Sequence, residues 1–171
     1  CRGPETSADP ELGHLNASLV FITAEQSQEQ AAAHLKPRVD LRRKEIEILL
    51  SVVLVAGGAV NLSDKLYCLN AAGLDLARRL VSAEFGEAAT PLDLFESDKP
   101  AIWLQRLKRG HRLLLVNWSE VPLEKTIDFK EHGLTISKAV NFWNDREVAL
   151  GDRTLSTMIP ARSCLFLMLF S

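Results

Sequence analysis

From residue 102 onward the hydrophobic pattern of this chain settles into a short two-residue period, and that change constrains the fold more than any other feature. Alternating or β-branched runs follow one another at Ile102 to Leu107, Arg112 to Trp118, Leu123 to Phe129, Thr135 to Trp143, Thr154 to Ile159 and Cys164 to Phe170. Turn-forming pieces separate them: Lys108-Arg109-Gly110, Ser119-Glu120, Glu131-His132-Gly133, Asn144-Asp145, Gly151-Asp152 and Pro160-Ala161. Successive side chains of a strand point to opposite faces, so alternation of this kind belongs to strands with a buried side, and the turns are too short for helical crossovers. The pattern predicts an antiparallel β-sandwich over residues 87–171.

Upstream the period is helical. Asp40 is a candidate cap for a helix from Leu41 to Ala56 whose first half is charged and whose second half, Ile48 to Val55, is apolar almost without interruption. Such a helix end has to be covered all round. Gly57-Gly58 would end it, Ala59 to Leu62 is short and apolar enough for an interior strand, Ser63-Asp64 opens a loop, and Leu69 to Leu80 reads as an amphipathic helix. This order is that of one α/β unit over residues 41–86. Residues 1–40 form a third, less regular part: a Gly, Pro and Ser-containing loop, a short apolar run at Leu19 to Ile22, and a polar helix from Ala24 to Lys36 behind the candidate cap Thr23. The fold class expected is therefore α+β, a helix-strand-helix piece followed by an antiparallel sandwich.

Composition narrows the function. Hydrophobic residues make up 47% and charged residues 25% of the 171, and the formal net charge is -2 with no long block of either sign. That argues against a nucleic-acid surface or an anionic membrane as partner. Ile46 to Val60 is broken by Glu47 and Gly57-Gly58 and is shorter than the ~20 apolar residues of a spanning helix. Cys1, Cys68 and Cys164 are scattered and no His cluster accompanies them, so neither a disulfide framework nor a metal site is expected, and no cofactor motif is present. The chain opens at Cys1 without an initiator Met and without a signal-peptide pattern, which reads as a fragment or a processed product.

Several segments together resemble one enzyme family. Val55 to Leu66 reads Val-Ala-Gly-Gly-Ala-Val-Asn-Leu-Ser-Asp-Lys-Leu, followed by Pro91-Leu-Asp-Leu-Phe95, Pro100 to Trp103, Leu-Leu-Leu-Val-Asn-Trp-Ser at 113 to 119 and Asn-Phe-Trp-Asn-Asp at 141 to 145. In order and spacing these are similar to the end of the melibiase-type, α-galactosidase-like glycoside hydrolases over roughly residues 41–171. The resemblance implies that residues 41–86 are the last α/β unit of a (β/α)₈ barrel and residues 87–171 the family's C-terminal antiparallel domain. A full barrel takes ~250 residues, so most of it would be absent and the principal partner would be the missing N-terminal barrel portion, through which a carbohydrate substrate would be met. A second copy of the chain is another candidate to cover the apolar helix.

The chemistry follows from what is present. Glycoside hydrolysis needs two carboxylates on opposite sides of the scissile bond; the family places both on middle strands of the barrel, and no residue here inherits either role, so no catalytic residue is expected in this chain. Asp64, Asn61 and Ser63 are the candidate substrate-binding residues, since the resemblance sets them at the active-site end of the last barrel strand; each also reads as helix capping or ordinary polar filling. Trp103, Trp118 and Trp143 suit either sugar stacking or a core, and the core reading is preferred. Asp93, Glu96 and Asp98 read as a solvated acidic loop. The expected function is a structural C-terminal part of a glycosidase for α-galactosides or related glycosides; the alternative is a free-standing β-sandwich module that binds carbohydrate or protein.

Overall fold

The computed structural model describes residues 43–58, 60, 69–96 and 99–171. Two helices, α1 (Arg43–Val55) and α2 (Ala71–Ser82), precede eight strands: β1 (Thr90–Pro91), β2 (Ile102–Arg106), β3 (His111–Asn117), β4 (Leu123–Asp128), β5 (Lys138–Asn141), β6 (Glu147–Val148), β7 (Thr154–Ile159) and β8 (Ser163–Phe170). All pairings are antiparallel, in a six-stranded sheet of order β1-β2-β3-β8-β5-β6 and a two-stranded ribbon β4-β7. The described residues are thus α+β, and every run read as a strand from Ile102 onward contains one. The run from Thr135 to Trp143 is strand only at Lys138–Asn141, and the two-residue edge strands β1 and β6 are too short to leave a periodic signal.

The central strands explain how the layers form. β3 is His-Arg-Leu-Leu-Leu-Val-Asn, and all of it from Arg112 on is buried, because both faces of the sheet are covered. Leu113 and Leu115, with Leu167 and Leu169 of β8, pack against Ile127, Leu155 and Ile159 of the ribbon. Leu114, Val116 and Phe166 face the other way, into a cluster with Ile46, Leu50, Leu54 and Val55 of α1 and Leu76, Ala77 and Leu80 of α2. The unbroken apolar run Leu113 to Val116 is what two covered faces demand, whereas the ribbon keeps Glu124, Thr126 and Ser156 outward and bonded to one another.

Ile46, Leu50 and Leu54 recur every four residues and form the ridge of α1 that meets the sheet. Burying each contributes about 1.5–3 kcal/mol. The apolar helix therefore finds cover inside this chain, on β3 and β8 and beside α2, with Val52 partly buried against the same cluster, while Leu49 and Val53 stay partly exposed. That is more cover than the sequence suggests, because the sheet face that supplies it is assembled from strands that begin only at His111 and Ser163, far downstream of the helix. The helix ends where Gly57 takes φ +71°, with Ala89 N–H donating to the Val55 carbonyl at 2.7 Å. A Cβ on Gly57 would lie 2.6 Å from the Ala88 nitrogen, so both conformation and space require glycine. In α2 the Asn70 side chain accepts from Gly73 N–H at 2.8 Å, the N-cap that starts the helix. The strand expected at 59–62 lies outside the described residues apart from Val60, which packs partly buried against the helical cluster in no regular element. The polar helix at 24–36, the short run at 19–22 and the cap at Asp40 also lie outside them.

Candidate functional site

The three residues expected to meet substrate, Asn61, Ser63 and Asp64, lie outside the described residues. What the described residues offer is a set of polar side chains fixed for structure. Asp93 is the first departure from expectation: it is buried, and its carboxylate accepts from Ala101 N–H at 2.8 Å and Ile102 N–H at 3.1 Å, pinning the entry to β2. A solvated loop acid was expected there; two unpaired amides at a strand start supply the reason it is drawn in. Glu96 is exposed as expected, and Asp98 lies outside the described residues.

A second polar chain crosses the helical side of the sheet. Gln105, fully buried in β2, donates from Nε2 to the Leu54 carbonyl at 3.1 Å and to the Glu87 carbonyl at 2.7 Å, and its Oε1 accepts from Arg112 Nη1 at 3.1 Å. Arg112 is equally buried, with Nε unpartnered and the guanidinium 5.8 Å over the Phe142 ring. Burial lowers its pKa, with Glu84 opposing. Gln105 and Arg112 are strand residues with no motif around them, so the sequence gives no sign of either role.

The tryptophans divide. Trp143 is in the core, its Nε1 donating to Ser51 Oγ at 2.9 Å, and Ser51 Oγ donates to the Glu47 carbonyl at 2.6 Å. Cys164 Sγ lies 3.9 Å from the same hydroxyl, and burial pushes its thiol up to about 12. Trp103 is partly buried against the helical cluster. Trp118 departs from the core reading: it is 43% exposed.

A shallow depression of about 470 Å³ on the helical side of the sheet is lined by Val140, Phe142, Met168, Phe170, Lys138 and Asp145. Its carboxylate is not poised for proton transfer, because Arg79 Nη2 holds Asp145 Oδ2 at 2.7 Å and keeps that carboxyl below its ordinary range, while Arg79 is raised in turn. Arg79 also donates to the Phe142 carbonyl at 3.0 Å, so the pair docks α2 onto the loop after β5. Among the described residues no group of three or more His, Cys, Asp or Glu side chains is placed to hold a metal ion, and no helix is long and apolar enough to cross a membrane. Asn117, inside a glycosylation sequon, is buried, with Nδ2 donating to the carbonyls of Val121, Ile159 and Pro160 at 2.7 to 3.1 Å. Its amide is committed to closing the end of β3.

The described residues have the fold of a region found in glycoside hydrolases of the α-galactosidase and melibiase kind. No protein-family model matches the sequence, and no curated protein matches it. Among solved structures, a GH27 β-L-arabinopyranosidase from Geobacillus stearothermophilus aligns at TM-score 0.66 and 13% identity, covering 82% of this chain and 33% of that one. α-Galactosidase I from Mortierella vinacea aligns at 0.60 and 9%, covering 77% and 36%. The α-galactosidase from Saccharomyces cerevisiae, solved with raffinose, aligns at 0.54 and 12%, covering 75% and 44%. The chain spans about a third of the length of the structures it first matches, and the likeness is one of fold.

Proposed function

We propose that this chain is the C-terminal part of a glycoside hydrolase acting on α-galactosides or related glycosides, and that its own role is structural. Residues 41–86 are then the last α/β unit of a (β/α)₈ barrel, and residues 87–171 an antiparallel sandwich that braces it. The observation that carries the reading is the fold match itself: three-quarters or more of this chain superposes on about a third of enzymes of this class. The chemistry is consistent with it. Asp93, Asp145, Glu84 and Glu120 each hold a backbone amide or an arginine, which leaves them stabilising loops and not flanking a glycosidic bond. Asn61, Ser63 and Asp64 are the residues proposed to reach substrate, and the missing barrel portion is the proposed partner.

The reading frame upstream of Cys1 provides the test. The expected result is a longer polypeptide with some 250 residues of barrel ahead of this chain that hydrolyses an aryl α-galactoside and loses activity when carboxylates in that upstream part are replaced. A polypeptide that begins at Cys1 and folds as a stable monomer would favour the free-standing binding module instead.

A further inference from the structure

Trp118 combines exposure with fixation. It follows the last register pair between β3 and β8, Asn117 with Ser163, and so stands opposite Arg162. Its Nε1 donates to the Pro100 carbonyl at 3.0 Å, and its ring stands edge-on to Trp103 with centroids 6.5 Å apart and an interplanar angle of 82°. The only polar atom of the indole is thus spent within the protein, the ring orientation is set, and 43% of the residue remains open to solvent. A tryptophan recruited only as filling would resemble Trp143, which is 5% exposed.

Its neighbour is placed at a conformational cost. Arg162 has φ +45°, a left-handed backbone that a side chain of this kind disfavours. That backbone lets its N–H donate to the Ser119 carbonyl at 3.0 Å and brings the guanidinium to the Glu120 carboxylate, with Nε 2.6 Å from Oε1 and Nη2 on the same oxygen. Nη1 lies 3.9 Å from Glu45 of α1. Next to a fixed indole there is accordingly an exposed arginine held by Glu120 and, farther off, Glu45, a group that carries both donors and acceptors and a slight negative balance.

We propose that Trp118, Arg162 and Glu120 form a non-catalytic site for one pyranose ring of a neutral oligosaccharide. The C–H face of a pyranose is apolar and slightly electropositive and suits the electron-rich face of an indole, while its ring hydroxyls both donate and accept, as does the ion pair. Compensation of Arg162 by Glu120 and Glu45 disfavours an anionic ligand. The choice of a sugar over another flat apolar ligand rests on the glycosidase reading above.

The test is a titration of the full chain with raffinose and, separately, with panose, following the indole N–H signals of the three tryptophans and the Arg162 Nε–H by NMR. Saturable shifts of Trp118 and Arg162 with Trp143 unmoved are expected with raffinose. Trp118→Ala should weaken binding about tenfold or more, the loss appropriate to one aromatic contact. Arg162→Gly, which suits the left-handed backbone and keeps the fold, should weaken it as well. A response to panose and not to raffinose would support the pyranose site and count against the galactoside reading. No response of Trp118 to either sugar, or unchanged affinity in both variants, would overturn the proposal whatever activity the longer polypeptide shows.

Discussion

Replacing Gln105 by Leu should destabilise the protein far more than replacing the buried arginine beside it. Gln105 and Arg112 are 0% and 1% exposed, so water has little access to their bonds. Leucine at 105 is close in size but leaves the Glu87 carbonyl unpaired, leaves Leu54 with only the 3.3 Å contact from Gly57 N–H, and strips Arg112 of its hydrogen bond. The buried Leu54 carbonyl, left with a poor partner, costs about 1–3 kcal/mol, the part-buried Glu87 carbonyl less because water can reach it, and a hydrogen bond to a charged group about 1.5–3. Allowing for non-additivity within one network, the loss should be about 3–5 kcal/mol, a large part of the ~5–15 that holds a domain. Arg112→Met removes a buried cation that makes no ion pair among the described residues, and the Phe142 contact it forfeits is worth about 1–2 kcal/mol. Exchange of buried charge for an apolar side chain is often neutral or stabilising, which offsets part of the about 1–3 kcal/mol incurred by Gln105 Oε1 on losing its donor, so this variant should lose no more than about 1–2 kcal/mol. Urea unfolding followed by tryptophan fluorescence measures both. A cost for Arg112→Met equal to that of Gln105→Leu would refute the reasoning, since it would mean the guanidinium is paired and the glutamine incidental.

Two further outcomes follow from burial. In a Cys1→Ser, Cys68→Ser background, Cys164 should resist thiol reagents at pH 8 in the native state and react only on unfolding, because its thiol is pushed up to about 12 by burial; rapid labelling of folded protein would show it open. His111 has its pKa lowered by burial and by Arg106, with Nδ1 enclosed and unpartnered. The folded protein therefore takes up that proton later than the unfolded chain does, so stability should hold above about pH 6.5 and fall as pH drops below it. His111→Gln should flatten that part of the stability profile, and an unchanged slope would assign it to other groups.

What the sequence discloses and what it hides have physical causes. Ribbon strands such as Thr154–Ile159 have one wet face, so their alternation is plain to read. Leu113 to Val116 of β3 and Leu165 to Phe170 of β8 are apolar without alternation, yet the Lys108-Arg109-Gly110 turn ahead of β3 marks its start: Gly110 sits at φ +95° with its α-carbon so near the Leu169 carbonyl that a Cβ would lie 2.3 Å from it. The cover over α1 is hidden because it depends on which face of β3 and β8 looks toward the helix, a tertiary fact. Asp93 is misread for the same reason: acids in a short turn look solvated until the amides they cap are known. Trp118 and Trp143 each follow a strand and precede a turn, and only the position of α1 and α2 decides that one is sealed and the other open. The family resemblance rests on short motifs at fixed order, and it anticipates the fold that the structure shows.

The measurement that bears most directly on a non-catalytic role is the steady-state hydrolysis of an aryl α-galactoside by this chain purified alone. The account predicts no turnover above the rate of the uncatalysed reaction, because the two carboxylates of the mechanism are assigned to the upstream barrel. Turnover that survives purification and is abolished by Asp64→Asn would contradict it, and would place an active site inside these 171 residues.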